Sequence, residues 1–435
     1  KGIPVMAELV YDENGRLLFT KEMKEEYTIL FPTMLPVHFG LMARILETEG
    51  FHVEMLTTNH RGIVDEGLKY VHNDTCYPAL LVIGQLIDAV KSGKYDMHKV
   101  ALLITQTGGG CRASNYIHLL RKALEKAGLS YIPVISVNLS GLEPNPGFKL
   151  GLNTLRKAVF AMMYGDIIVQ TANQVRPYEV SRGQTDETIE AVETQLLEAM
   201  NQGKGLSFKS MVANFDRIVA AFKAIPVAGE PKVRVGVVGE ILVKFLPAAN
   251  NHLVDLLESE GAEAVVPDLL DFLLYCFYNQ NFKVEKLGFA KSKAIVANLG
   301  IKTLEWFRSP ASKAFKESKH FDPPADIHDL GRMASEIVSL GNQTGEGWFL
   351  TGEMMELIHS DVYNIVCIQP FACLPNHIVG KGVIKAIRKE YPKANIVAVD
   401  YDPGASEVNQ LNRIKLMLST ANKNLKQEPN GEKDA

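Results

Sequence analysis

Three cysteines stand where a thiol has chemistry open to it. Cys76 lies in His72-Asn73-Asp74-Thr75-Cys76-Tyr77-Pro78, Cys111 in Gly108-Gly109-Gly110-Cys111-Arg112, and Cys373 in Pro370-Phe371-Ala372-Cys373-Leu374-Pro375. Each follows a turn signal and precedes a helix signal, and the N–H groups at a helix start favour thiolate over thiol. Glycine or proline beside each thiol keeps side-chain bulk away, so the backbone, at Gly110 for example, can approach an inorganic body and offer it donors. Three thiolates around one cleft can hold three irons of a [4Fe-4S] cluster and leave the fourth open. A closed zinc site needs a fourth ligand, which His72 or His377 could supply. Cys276 and Cys367 lie in apolar runs and read as small buried hydrophobes.

Polar residues near these thiols extend the candidate site. His377 can protonate a leaving group or cap a helix. Glu346, in Gly345-Glu346-Gly347-Trp348, and Glu240 are candidate acid/base groups. Arg112 and Lys381 can neutralise an anionic cofactor or phosphate, and equally can be surface cations. Asn376 is read as a group supporting the thiols or touching substrate. Asn250 and Asn251, with His252, follow the first strand of the second half, a position for ligand contact. No Gly-x-Gly-x-x-Gly fingerprint and no Gly-x-x-x-x-Gly-Lys-Ser/Thr loop occurs, which disfavours nucleotide hydrolysis.

The elements that must position these groups follow from apolar runs and breakers. Thr28 to Pro32, Phe51 to Leu56, Val100 to Thr105 and Tyr131 to Asn138 read as buried strands separated by amphipathic helices, which means a parallel sheet covered on both faces. Val233 to Val238, Asn364 to Gln369 and Asn395 to Asp400 repeat the design. Ile45-Leu46-Glu47-Thr48-Glu49-Gly50 resembles Leu256-Leu257-Glu258-Ser259-Glu260-Gly261, each a helix end with a glycine cap, so the chain is read as a repeated module. The fold class expected is α/β: two Rossmann/flavodoxin-like parallel-sheet modules with a helical linker and a helical insertion. The divisions are a peripheral hairpin over 1–27, turned by Asn14-Gly15, a first module over 28–150 and a helical linker over 151–231, in which Leu155 to Met163, Thr188 to Met200 and Phe208 to Phe222 read as separate helices. A second module follows over 232–402, with an insertion about 269–340 anchored in the core by Trp306-Phe307, then a C-terminal helix over 403–422 and a polar tail over 423–435.

Composition narrows the class. With 46 basic and 50 acidic residues the net charge is -4, which gives no reason to expect nucleic acid or an anionic membrane as partner. No apolar run is long enough to span a bilayer and no signal peptide opens the chain. Five cysteines in a chain of this length suit a reducing, cytoplasmic setting better than a disulfide framework. The first residue is Lys, so a piece of a longer polypeptide or a trimmed chain is expected.

His72-Asn73-Asp74-Thr75-Cys76-Tyr77-Pro78-Ala79, Gln106 to Tyr116 and Pro370 to Gly382 resemble the acyl-CoA dehydratase activase-related proteins, of the 2-hydroxyacyl-CoA dehydratase and benzoyl-CoA reductase subunit superfamily. The likeness runs over about 28–422 and includes Gly345-Glu346-Gly347-Trp348 and Asp400-Tyr401-Asp402-Pro403-Gly404-Ala405. It implies an oxygen-sensitive [4Fe-4S] cluster on Cys76, Cys111 and Cys373. It also implies low-potential electrons from an ATP-dependent activase, in such relatives often part of the same polypeptide, passed to an acyl-CoA thioester as a ketyl radical that expels a leaving group. On this resemblance the chain is a dehydratase-like lyase or an ATP-coupled reductase component of anaerobic metabolism, and a homodimer. Two other readings stay open, a non-catalytic electron relay or regulatory module of an activase fusion, and a metal-free or zinc-bearing binding scaffold.

Overall fold

The computed structural model describes residues 8–72, 74–106, 110–138 and 143–427. The chain separates into two compact units, Lys1–Ala161 and Met162–Ala435.

In the first unit the apolar run Thr28-Ile29-Leu30-Phe31-Pro32 has both faces buried, so it takes the centre of a sheet. The order along the chain is α1 (Lys21–Glu26), β1 (Thr28–Pro32), α2 (Pro36–Thr48), β2 (His52–Leu56), α3 (Arg61–Tyr70), α4 (Tyr77–Lys91), β3 (Val100–Gln106), α5 (Tyr116–Lys126) and β4 (Val134–Asn138). All strand pairs are parallel, in the order β2-β1-β3-β4, with Thr28 opposite both His52 and Val100. The chain thus leaves β1 for one side and returns to the other at β3, which opens a crevice at their carboxyl ends. Of the expected N-terminal hairpin, residues 1–7 lie outside the described residues, and Lys21–Glu26 is a helix. The turn of the hairpin is present, with Tyr11 bridged antiparallel to Leu17 and Gly15 at φ +74°.

From α6 (Leu152–Val175) the chain runs through α7 (Gln184–Asn201) and α8 (Phe208–Lys223) into β5 (Val233–Gly239), α9 (Ile241–Phe245), α10 (Leu253–Ser259) and β6 (Ala262–Val265). Then come α11 (Leu269–Leu287), α12 (Lys291–Ser318), α13 (Ile327–Ser335), α14 (Trp348–His359), β7 (Asn364–Pro370), α15 (Leu374–Val379), α16 (Ile384–Glu390), β8 (Asn395–Tyr401) and α17 (Glu407–Gln427). This sheet is also parallel, in the order β6-β5-β7-β8. The two sheets therefore share one topology, as the repeated Glu-Gly helix ends predict. No helix among the described residues is long and apolar enough to cross a membrane.

Three expectations need correction. Trp306 does not anchor the core: it is 52% exposed and stacks on Phe208 with ring centroids 4.1 Å apart. The buried stripe of α12 runs through Ala297, Ile301, Arg308, Ala311 and Phe315, and Trp306 falls off that face at 3.6 residues per turn. The core tryptophan is Trp348, whose Nε1 donates to Asn279 Oδ1 at 2.8 Å. Helix α6 starts before and continues well past the expected Leu155 to Met163, since Gly165 is buried inside it and does not break it. Helix α17 likewise continues through residues 423–427, where a tail was expected, there being no glycine or proline before Pro429 to stop it.

Candidate functional site

In the first unit, the chain beyond β3 leads to Gly110, which is exposed, and Cys111, which caps a short 3-10 turn over Arg112–Asn115. Gly108 and Gly109 lie outside the described residues, as does the side chain of Arg112. Ser114 closes the turn, its N and Oγ reaching the carbonyl of Cys111 at 3.1 and 2.6 Å. The turn delivers the chain to Tyr116, buried at the start of α5. Its hydroxyl lies 3.3 Å from Cys76 Sγ. The two thiol-bearing loops of this unit therefore adjoin through one tyrosine. Cys76 is half-buried and precedes α4, with Pro78 in the first helical turn, where no N–H is required, and no side chain capping that end. Helix-dipole support for a thiolate is strongest here, because α4 is long. Cys111 precedes only a 3-10 turn, and Cys373 only the six-residue α15. His72 is exposed, with Nδ1 accepting from the N–H of Asp74 at 3.1 Å.

In the second unit the crevice lies at the carboxyl ends of β5 and β7. A Cβ on Gly239 would stand 2.0 Å from the carbonyl of Ile368, so only glycine lets these strands end this close together. Cys373 follows β7 after Ala372, which is held at φ +58°, a conformation uncommon for alanine. Around the thiol, Phe371, Leu374 and Ile378 are all exposed by half or more.

Behind that loop lies a buried polar core. Asn376 is fully buried, and its amide satisfies two neighbours: Nδ2 donates to Glu346 Oε2 and Oδ1 accepts from the N–H of Glu240, both at 3.0 Å. Glu346 Oε1 accepts from the N–H of Ile241 at 3.0 Å, and Glu240 Oε2 from that of Val243 at 2.8 Å. Burial and then the charge of Glu346 push the Glu240 carboxyl up to about 8, and burial raises Glu346 as well. Glu346 is thus a buried brace between α9 and α15. His377 also faces protein: its Nε2 lies 3.4 Å from Asp400 Oδ1 without an aligned hydrogen bond. Burial works to raise Asp400, but hydrogen bonds from Gln369 at 2.6 Å and Lys381 at 3.0 Å outweigh it and hold the carboxyl below its ordinary range. Lys381 therefore pairs with a carboxylate of its own unit.

Asn250 and Asn251 serve local structure. Asn250 Nδ2 donates to the carbonyls of Val243 and Lys244, and its Oδ1 accepts from the N–H of Leu253, tying α9 to α10. Asn251, at φ +54°, donates to Gln410 Oε1 at 2.9 Å. Cys276 and Cys367 are ordinary interior thiols, and burial pushes each up to about 12. The sequence reading passed over the buried pair of Lys244 Nζ with Glu353 Oε1 at 2.7 Å. The signal was a lone charge inside each of two apolar runs, Ile241-Leu242-Val243-Lys244-Phe245 and Trp348 to Met355, where an unpaired charge is too costly to keep.

Within the first unit the structure brings Cys76 to Tyr116, the residue that follows the turn opened by Cys111, and it sets Cys373 at the equivalent strand end of the second. Among the described residues no three His, Cys, Asp or Glu side chains gather closely enough to hold a metal ion. None of the five cysteines is in a disulfide, so the three loop thiols keep the chemistry that iron-sulfur ligation needs. The sequence matches none of the protein-family models and none of the curated proteins with which we compared it.

Proposed function

We propose that Cys76, Cys111 and Cys373 are the thiolate ligands of one [4Fe-4S] cluster in a cytoplasmic redox protein of the 2-hydroxyacyl-CoA dehydratase type. It takes low-potential electrons from an ATP-dependent activase and acts on a small molecule, an acyl-CoA thioester being the class the sequence resemblance supplies. The observation that carries this reading is positional. Cys111 and Cys373 follow the third strand of two sheets with the same order, and Cys76 lies against Tyr116, the residue after the turn that Cys111 opens. When bound, such a cluster supplies one-electron reduction and an open iron for a small molecule. The chain's own part is to hold and tune the thiolates. Tyr116 donates its O–H to an ionised Cys76, which immediately precedes the N-terminus of α4.

Iron and acid-labile sulfide on protein purified without oxygen test the reading. The expected result is about four of each per chain, with a brown colour that dithionite bleaches. Cys111→Ser is expected to lose most of the iron with its circular dichroism unchanged, and full iron retention in that variant overturns the ligand set. Tyr116→Phe is expected to keep its iron and to lower the midpoint potential by roughly 40 mV, the one-electron equivalent of a hydrogen bond worth about 1 kcal/mol. An unchanged potential removes Tyr116 from the tuning role.

A specific observation favours a second reading, a non-catalytic electron relay within an activase fusion. Glu346 is engaged with Ile241 and Asn376, and His377 faces Asp400, which leaves both short of a substrate. Tight binding of an acyl-CoA to the iron-loaded protein separates the two in favour of catalysis.

A further inference from the structure

The second unit encloses a cavity of about 290 Å³ between the end of α6, the turn after β6, the start of α11, the Pro323-Pro324 stretch and α14. Two nearly fully buried carboxylates line it, Asp268 at 4% exposure and Glu353 at 1%. Each has one oxygen accounted for: Asp268 Oδ1 accepts from Gln170 Nε2 at 2.7 Å, and Glu353 Oε1 from Lys244 Nζ at 2.7 Å. The other oxygens, Asp268 Oδ2 and Glu353 Oε2, receive no hydrogen bond, and neither does Gln170 Oε1 on the same wall. All three orphans are side-chain oxygens, and buried polar atoms without a hydrogen-bond partner are rare in folded proteins.

The neighbouring cations do not fill this need. Arg308 stands 4.0 Å from Asp268 Oδ2, but its N–H groups are directed at Asp271 Oδ1, both oxygens of Glu305 and the carbonyl of Ala325. Arg234 is paired with Glu263 and Asp322. Asp271 and Glu356 add acidic character to the same wall. No three His, Cys, Asp or Glu side chains among the described residues gather there to hold a metal ion. What the wall lacks is a positive group carrying several N–H donors, at a size just under the usual lower bound for small-molecule pockets.

We infer that this cavity is a binding site for a small organic cation with a primary ammonium group, whose N–H hydrogens supply the donors that Asp268 Oδ2, Glu353 Oε2 and Gln170 Oε1 lack. The site is independent of the three loop thiols. Glu353 nevertheless connects it to the crevice, because its other oxygen holds Lys244 on the helix that Glu240 caps.

The test is titration of the full chain with 1,4-diaminobutane, followed by calorimetry and by thermal unfolding. Tetramethylammonium, a cation without N–H donors, and Mg²⁺ serve as comparisons. Saturable binding of 1,4-diaminobutane is expected, with a rise in unfolding temperature that tetramethylammonium does not reproduce. Asp268→Asn and Glu353→Gln, both nearly isosteric, are each expected to weaken binding by roughly tenfold or more. No binding of 1,4-diaminobutane up to about 10 mM overturns the inference and leaves a water-filled cavity. Equal binding by both variants, an equal effect of tetramethylammonium, or displacement by Mg²⁺ overturns it too. Should either variant fail to fold, the comparison of the two organic cations on wild-type protein still decides the donor requirement.

Discussion

Gly84→Ala is expected to lower the stability of the first unit by at least about 3 kcal/mol in chemical denaturation and to loosen the loop that carries Cys76. A Cβ on Gly84 would stand 1.9 Å from the carbonyl of Ile63, 2.8 Å from the nitrogen of Gly67 and 3.0 Å from its Cα. The reciprocal contact is equally tight, with a Cβ on Gly67 falling 2.4 Å from the carbonyl of Leu80. The nearest of these atoms are backbone, which cannot rotate out of the way, so α3 and α4 must separate along their length. That raises the cost above the roughly 1–3 kcal/mol of ordinary overpacking. Cys76 immediately precedes α4, so a displaced α4 also displaces the thiol from Tyr116. Gly300→Ala in α12 is the control. There the new methyl meets the ring of Phe277 at 3.6 Å, ordinary contact, and alanine favours helix over glycine by up to about 1 kcal/mol. The two glycine-to-alanine changes are thus expected to have opposite signs. If Gly84→Ala unfolds like the wild type, the close helix crossing is wrong.

That contrast shows what a sequence discloses and what it withholds. The strand cores at Thr28 to Pro32 and Asn364 to Gln369 were legible because a parallel strand buried on both faces reads as a largely apolar run. The loop positions of Cys76, Cys111 and Cys373 were legible because glycine and proline punctuate the chain there. Gly67 and Gly84 carried no comparable signal. A glycine inside an apolar helix looks the same whether it faces solvent or another backbone, and only the crossing of α3 with α4 separates the cases. Charged pairs were hidden for a related reason. Lys244 and Glu353 are 109 residues apart, and Arg308 and Asp271 are 37 apart. Each member looks like an isolated charge on its own helix until the fold supplies the partner. Asn250 and Asn251 show the converse, since a polar pair at a strand's carboxyl end suggests a ligand contact, and the hydrogen bonds both side chains make within the fold carry no signal in the sequence.

The buried Glu240–Asn376–Glu346 group makes stability depend on pH with a definite sign. Burial, and then the charge of Glu346, raise the folded-state Glu240 carboxyl from its ordinary 4.5 to about 8. Between those values the folded chain binds more protons than the unfolded one, so stability falls as pH rises through that window, and the loss is complete above it. Below about 4.5 both states are protonated and the group contributes no slope. Glu240→Gln removes the titration while keeping an acceptor for the N–H of Val243. The variant is therefore expected to match the wild type near pH 5 and to exceed it by on the order of 1–3 kcal/mol near pH 8, measured by denaturant unfolding across that range. Some slope should remain, because burial also pushes Glu353 up to about 7. Glu346→Gln should behave differently. Both Glu346 oxygens accept hydrogen bonds, from Ile241 and Asn376, and an amide would turn an N–H₂ group toward one of those donors. It is expected to cost about 1–3 kcal/mol at every pH. Parallel pH profiles for wild type and Glu240→Gln would remove Glu240 as the titrating group, whereas divergence above pH 5 would mean that this end of the crevice is held together by a carboxyl that keeps its proton near neutrality.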